Sequence, residues 1–318
     1  MGRVLVARLA RLVVTLFAVT LLSFLLTSFL PGDPAVAVLG QDNIQNPELL
    51  EQVREDLGLN KPIPIRYLSW LGNAATFDLG ESYINKGQEV STTIKQRLPV
   101  TAQLAVMAIG IALILAVPLG IIGAYREGKW QDSTTSAAAQ VALSVPNFIT
   151  GIAFIWLFAV KLDLLPASNW NRISNKGIGA NLKTAILPAT ALATTQMAIF
   201  SRLIRADMIA TLKENYILSA RAKGLSDRYI LVRHALRPSS LSLMTIVGIN
   251  FGALLGGTVV IETLFAIPGL GFRLINAINQ RDILVIQGIT VFVAVVYVVI
   301  NTIVDLLYAV VDPRIRRS

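Results

Sequence analysis

Apolar residues in this chain gather in long runs, and polar and charged residues gather between them. A helix rises about 1.5 Å per residue, so about 20 apolar residues cross the hydrocarbon core of a bilayer. Six runs reach or approach that length: Leu12–Leu30, Leu98–Tyr125, Thr134–Val160, Pro188 to about Ile204, Ser240–Leu264, and about Ile283–Val311. The third is broken by Ser144-Val145-Pro146-Asn147. The fourth opens on Pro188, which suits a first helical position because it lacks the amide N–H left unpaired there. Pro118 and Pro146 remove donors inside helices and are expected to kink them. The pattern predicts an all-α integral membrane protein of six transmembrane helices.

Two polar stretches carry their own helical pattern. In the first, residues 31–97, Asn46 is a plausible N-cap with Pro47 as first helical residue. Leu50, Val53 and Leu57 then share a face, and Gly58 can end that helix. A second amphipathic stretch follows Pro64, with Ile65, Leu68 and Leu71 on one face. This small subdomain either caps the bundle or offers a surface to an external partner. The second stretch is 201–238. Ile204, Met208, Ile209 and Leu212 continue a helical face through Tyr216, Ile217 and Ala220. Gly224 supplies a stop, with Arg221 and Lys223 in the last turn, where cations suit the helix dipole. Ser226 can cap a second short helix with Asp227 in its first turn, and Pro238 precedes the next span. The expectation is helix, glycine corner, helix: a compact projection that serves as a docking surface or lies solvated against anionic lipid.

Composition agrees with the membrane reading. The 318 residues are 54% hydrophobic and 15% charged, with mean hydropathy +0.63. The net charge of +9 raises nucleic acid as a partner, but the basic residues lie between membrane-length runs, where sidedness explains them. No nucleic-acid role is expected. Arg3, Arg8 and Arg11 place the N-terminus inside, and Arg314, Arg316 and Arg317 place the C-terminus on the same side. The loop 201–238, with Arg202, Arg205, Lys213, Arg221, Lys223, Arg228, Arg233 and Arg237, also falls inside, whereas residues 31–97 carry six basic against nine acidic residues and fall outside. The segment Lys161–Lys183, also outside, is mildly basic and fits less well. Ala35-Val36-Ala37 mimics a signal-peptide cleavage site, but the first apolar run exceeds the usual core of about 7–15 residues. It is expected to be a retained anchor.

Absent chemistry narrows the function. There is no cysteine and only one histidine, His234, so disulfides, thiolate nucleophiles and multi-histidine metal sites are excluded. Gly123 to Trp130 matches most of a phosphate-binding loop but puts Trp130 where a hydroxyl must reach Mg²⁺. Any ATP hydrolysis must come from another chain. Gln140, Asn147, Gln196, Asn250, Asn301 and Asp305 lie in or near spans, where they either hydrogen-bond between helices or line a pathway. Gly248, Gly252 and Gly256, with Gly257 beside the last, lay a smooth stripe along the fifth span, for packing within the chain or for a gate and seam between two chains. An ion-coupled secondary transporter and a non-transport membrane scaffold remain open as alternatives.

Ser219-Ala220-Arg221-Ala222-Lys223-Gly224-Leu225, followed by Arg233-His234-Ala235-Leu236-Arg237-Pro238, resembles the EAA loop of ABC importer permeases, without its usual leading glutamate. Leu57–Pro62, Tyr67–Gly72, Asp78-Leu79-Gly80, Glu262–Gly271 and Asp312–Arg316 resemble the dipeptide/oligopeptide branch. The resemblance covers nearly the whole chain. It implies a type I ABC importer permease fold in the inner membrane of a bacterium, as the "B"-type subunit of a dipeptide/oligopeptide-type importer that takes peptides or a related small solute such as nickel. Its domains would be an anchor (1–30), an extracytoplasmic subdomain (31–97), a five-helix permease domain (98–311) holding the coupling loop, and a cytoplasmic tail (312–318). The implied partners are a homologous second permease, one or two cytoplasmic ABC ATPase subunits that bind ATP and Mg, an extracytoplasmic solute-binding protein and membrane lipid; this chain itself would hold no cofactor. Ala220, Arg221, Ala222, Lys223, Gly224, Leu225 and Arg228 would contact the ATPase. Tyr67, Trp70, Asp78, Glu262, Pro268 and Gly269 are candidates for docking the binding protein. Gln140, Asn147, Gln196, Asn250 and the glycine stripe are candidates for pathway or gate.

Overall fold

The structure, a computed structural model, describes residues 2–29, 33–39 and 46–311. The side chains of Arg3, Arg8, Arg11 and Asp305 and the segment 312–318, with its basic tail, lie outside the described residues. Among the described residues the fold is all helical, save one isolated bridge between Glu81 and Glu89. The helices are α1 (Gly2–Ser28), α2 (Pro34–Leu39), α3 (Pro47–Asp56), α4 (Ile63–Ala75), α5 (Val90–Tyr125), α6 (Trp130–Ser144), α7 (Asn147–Phe154), α8 (Ile173–Leu212), α9 (Asn215–Ala222), α10 (Asp227–Tyr229), α11 (Leu236–Gly257), α12 (Val259–Leu264), α13 (Leu270–Gln280) and α14 (Ile283–Val311). Two π-helical stretches, Ile155–Lys161 and Ile230–Ala235, extend α7 and join α10 to α11.

Four helical stretches are long and apolar enough to cross a membrane: Val90–Tyr125, Ile173–Leu212, Asp227–Gly257 and Ile283–Val304. The pair Trp130–Ser144 and Asn147–Lys161, bent by 100°, makes a fifth if it is one span. In α1 the described apolar stretch is Leu12–Ser28, shorter than these candidate spans. The bend falls at the expected break. Pro146 has no N–H and its ring pushes Val145 out of the helical region, to φ −96 and ψ 119.

The chain divides into two compact units, Met1–Thr101 with Pro268–Thr302, and Ala102–Ile267 with Ile303–Ser318. In the first, α4 packs on α1. Tyr67 and Trp70 are buried against Phe24, with ring centroids 5.4 and 6.0 Å from it, and Tyr67 Oη lies 3.0 Å from Thr20 Oγ1. The sequence expectation for α4 needs correction here. Leu71 does join the buried side, but Ile65 and Leu68 are exposed. The aromatic pair wins the interior because each ring buries more apolar surface than a branched aliphatic does. The expected start of α3 holds, with Asn46 Oδ1 accepting the Glu48 and Leu49 amides and Pro47 at the first position.

In the second unit α8 is the central pillar, packed by α6, α7 and α11. It does not begin at Pro188. Helix is already present from Ile173, with one break at Gly177 (φ 78), and Pro188 is a buried interior residue. A proline inside a helix forfeits one ladder bond, which a long helix wrapped by neighbours tolerates. Pro118 likewise lies within α5, which continues through it. Close approach of α5 to α8 rests on Gly120, where a β-carbon would come within 2.7 Å of Ile204. The fifth span ends at Gly257, short of the expected Leu264, because Thr258 separates α11 from α12.

Candidate functional site: the basic projection after α8

The first twelve residues of the stretch 201–238 belong to α8 itself. Lys213 caps that helix, and α9 follows. Ile217 and Ala220 of α9 are buried with Ile230, and Leu212 packs against them, giving the projection a small core of its own.

Gly224 is the corner. Its φ is +75, and nothing lies within 4 Å of where a β-carbon would stand. The Leu225 amide donates to the Ala220 carbonyl at 3.3 Å and the Gly224 amide to the Arg221 carbonyl at 2.9 Å. That bond pair is the Schellman ending of a helix, which favours glycine at the left-handed position. The backbone next turns at Ser226, whose side chain makes no capping bond; α10, the π-helical stretch and α11 then continue one after another. The second short helix of the expectation is thus the lead-in to a membrane helix, and Pro238 lies in the first turn of α11.

Polar contacts brace the projection against the corner between α5 and α6. Tyr125 donates its hydroxyl to Asp227 at 2.8 Å, and Lys213 pairs with Glu127 at 3.2 Å. Beside them Asp132, with a nearly buried side chain, takes Arg205 through two bonds of 2.5 and 2.7 Å and the Gly128 amide at 3.0 Å. The Gly128 amide of the loop-like match 123–130 is therefore taken by this chain's own carboxylate, and Trp130 is exposed. Sequence reasoning missed Asp132 and Arg205 as partners. No spacing signal links residues 73 positions apart.

What remains outward is specific. Arg221, Ala222, Lys223, Gly224, Leu225 and Arg228 are exposed, as are Leu218 and Tyr229. Ala220 is not; it is 6% exposed and serves the projection's own core. None of Arg221, Lys223 and Arg228 forms an ion pair among the described residues. The surface is therefore a small apolar knob ringed by cations unpaired among the described residues, on a hydrogen-bonded corner.

The candidate pathway residues do not converge on one point. Gln140 is exposed and accepts from Arg202 at 3.3 Å. Asn147 accepts from Thr195 at 3.4 Å, and Asn250 donates to Ile246 of its own helix at 2.9 Å. Gln196 is buried with a carbonyl oxygen unpartnered among the described residues, and Asn301 has one too. In the stripe, a β-carbon at Gly248 would collide with Val304; Gly252 is buried, while Gly256 and Gly257 are exposed. A polar cluster that sequence reasoning missed joins Gln103 to Asn181, which also donates to the Asn171 carbonyl at 2.7 Å.

Of the six candidate docking residues only Asp78 is exposed. Tyr67 and Trp70 are packed in the aromatic cluster, Glu262 is fully buried and accepts from Thr258 at 3.0 Å, and Gly269 is buried. Pro268 is half-buried, its carbonyl accepting from Arg97 at 3.2 Å.

Comparison with known proteins agrees with this geometry. Residues 116–317 match the family described as binding-protein-dependent transport system inner membrane component, and residues 1–105 match the N-terminal domain of such membrane components. A protein named as a peptide transport system permease in Brucella abortus is 38% identical over 316 residues, covering 99% of each chain. One named as a peptide ABC transporter permease in Sinorhizobium fredii is 33% identical, covering 99% of this chain and 100% of its own. The dipeptide transport system permease protein of Bacillus subtilis is 35% identical, covering 99% of this chain and 98% of its own. An all-helical chain with four to five membrane-length helices, matched across both its N-terminal and its main segment, belongs to the binding-protein-dependent transport system inner membrane component family.

Proposed function

We propose that this chain is the "B"-type permease subunit of an ATP-driven importer of short peptides, and that it couples to cytoplasmic ATPases through the corner at Gly224. Peptide as the solute follows from the names of the relatives in Brucella abortus, Sinorhizobium fredii and Bacillus subtilis. The chain forms half of the pathway with a homologous second permease, receives solute from an extracytoplasmic binding protein, and relies on one or two partner ATPases for ATP and Mg. Six spans, with α1 as the retained anchor and the bent pair as one crossing, put both termini in the cytoplasm. Residues 31–97 then form the outer subdomain and 98–311 the permease domain. The positive-inside bias supports that orientation.

One observation carries the coupling assignment: the projection is braced against its own chain, through Tyr125–Asp227 and Lys213–Glu127, and apolar-cationic where it faces outward. Leu218, Ala222, Leu225 and Tyr229 offer apolar contact, and Arg221, Lys223 and Arg228 suit acidic groups rimming a groove. Truncating such cations alters association rate and salt dependence more than packing. A movement of the partner pressed on this corner passes to α8, α10 and α11, the helices at its two ends.

Reconstitution tests the proposal. The permease pair with ATPases and loaded binding protein should import a dipeptide on ATP addition. The isolated chain should not hydrolyse ATP, and Lys129→Ala should change nothing. ATP hydrolysis by the isolated chain that Lys129→Ala abolishes, or uptake driven by a proton gradient without ATPases, would replace the importer reading with one of its alternatives.

A further inference from the structure

Within the first unit, a cavity of about 390 Å³ opens between α4, the turns around Gly58 and Gly80, and the first turns of α14. That volume falls within the range of about 300–1,000 Å³ common for small-molecule sites. Through Arg66 it adjoins a second cavity of about 520 Å³.

Its wall holds two groups that the fold leaves unsatisfied. Trp70 Nε1 and Gln287 Nε2 are buried N–H donors with no acceptor among the described residues, and both residues line this cavity. Trp70 is 9% exposed and Gln287 3%. Buried donors are almost always paired, so two orphans on one cavity call for an acceptor brought from outside. Lys61 and Arg66 line the same cavity, and neither pairs with a carboxylate among the described residues. Asp56 and Asp78 line it too and form no ion pair there either. The lining thus offers N–H donors and two cations for oxygens, and two carboxylates for an ammonium.

We propose that this cavity is a site on the permease itself for a short zwitterionic peptide. The peptide's carboxylate and carbonyl oxygens meet Arg66, Gln287 and Trp70, and its ammonium meets Asp56 or Asp78. The proposal rests on the peptide-import reading and adds a holding point in the outer subdomain, separate from the binding protein. An inorganic anion would leave the two carboxylates without a counterpart. A zwitterionic lipid headgroup carries the same two charges, and the experiment separates it from a peptide.

The test uses the full permease complex in nanodiscs, without binding protein, and measures equilibrium binding of Ala-Phe. Saturable binding is expected, in phosphatidylglycerol and in phosphatidylethanolamine discs alike. It should weaken at least tenfold in Arg66→Gln and in Gln287→Leu, and equally for N-acetyl-Ala-Phe-amide, which lacks both terminal charges. Trp70→Phe keeps a ring in the aromatic cluster and should weaken binding several-fold. Arg66 is part-exposed, so Arg66→Gln remains informative if the buried variants fold poorly. Absence of saturable binding, or Arg66→Gln and Gln287→Leu binding as the parent does, overturns the site. Phosphatidylethanolamine retained by the parent and lost by Arg66→Gln, with no peptide bound, reassigns the cavity to lipid. ATP-driven uptake with the binding protein is the separate control: intact uptake without cavity binding refutes the site alone, whereas absent uptake in the parent system refutes the import reading.

Discussion

Arg273 donates to Asp282 at 3.2 Å with both side chains inside the protein, 9% and 0% exposed. The same carboxylate takes the Ser82 hydroxyl at 2.5 Å and the Tyr83 amide at 3.1 Å. One buried carboxylate, just past the end of α13, thus holds Arg273 of that helix's first turn and the turn around Ser82 to a common point. Tyr83 is half-buried there, and burial raises its hydroxyl pKa above the ordinary tyrosine value.

Asp282→Asn removes the charge that Arg273 answers and leaves a cation stranded in the interior. Breaking one half of a buried pair typically costs about 3–5 kcal/mol. Asp282→Asn should therefore lower the thermal midpoint of the detergent-solubilised chain markedly and expose the turn around Ser82 to protease. A midpoint unchanged from the parent contradicts the network.

The glycine stripe should respond unevenly to substitution. Gly248→Ala drives a methyl into Val304, and such overpacking costs about 1–3 kcal/mol. Gly257→Ala meets nothing within 4 Å and should be neutral or mildly stabilising. Thermal unfolding of the two variants side by side checks this. Equal effects would remove the packing account of Gly248.

Ala266 sits at φ +50, the left-handed position after α12, where the Ile267 amide reaches back to the Glu262 carbonyl at 2.8 Å. A β-carbon there costs roughly 1 kcal/mol. Ala266→Gly should raise stability by up to about that amount, and a loss of stability on the same unfolding assay would refute the strain.

How much of this was legible in the sequence varies with the range of the interaction. The Asn46 cap, the Pro146 break and the Gly224 corner are local devices, set by residues within one turn of each other, and the structure has each where the sequence indicated. The buried side of α4 was misjudged because periodicity alone makes Ile65 and Leu68 as good a stripe as Tyr67 and Trp70; only contact with Phe24 and Thr20 decides. Pro188 was misplaced because a rule for exposed helix ends does not govern a helix wrapped by others. Asp132 with Arg205, and Ser82 with Asp282, are pairs across long stretches of chain, and no spacing announces them. In the candidate site the exposed cations and Gly224 were legible, whereas Ala220 was assigned to the contact surface although its helix face turns inward onto Ile230.

Topology is open to a direct check because the chain has no cysteine. Gln52 is exposed on α3, in the segment 31–97 proposed to lie outside. A single Gln52→Cys should react with a membrane-impermeant maleimide added to intact cells or right-side-out vesicles. Labelling only after the cytoplasmic face is opened would invert the orientation.

The central claim is that the corner at Gly224 is where the ATPase docks, and crosslinking tests it most directly. Ala222→Cys places one thiol on the exposed rim beside Gly224, and Gln52→Cys serves as the control. Each variant is assembled with its partner ATPases and treated with a short thiol–amine crosslinker. Ala222→Cys should join the ATPase in high yield, with the yield changing on ATP addition, and Leu225→Asp in the same chain should reduce it severalfold; Gln52→Cys should not join it. An assembled, ATP-hydrolysing complex in which Ala222→Cys never reaches the ATPase would show that the projection is a solvated basic surface and that coupling runs elsewhere.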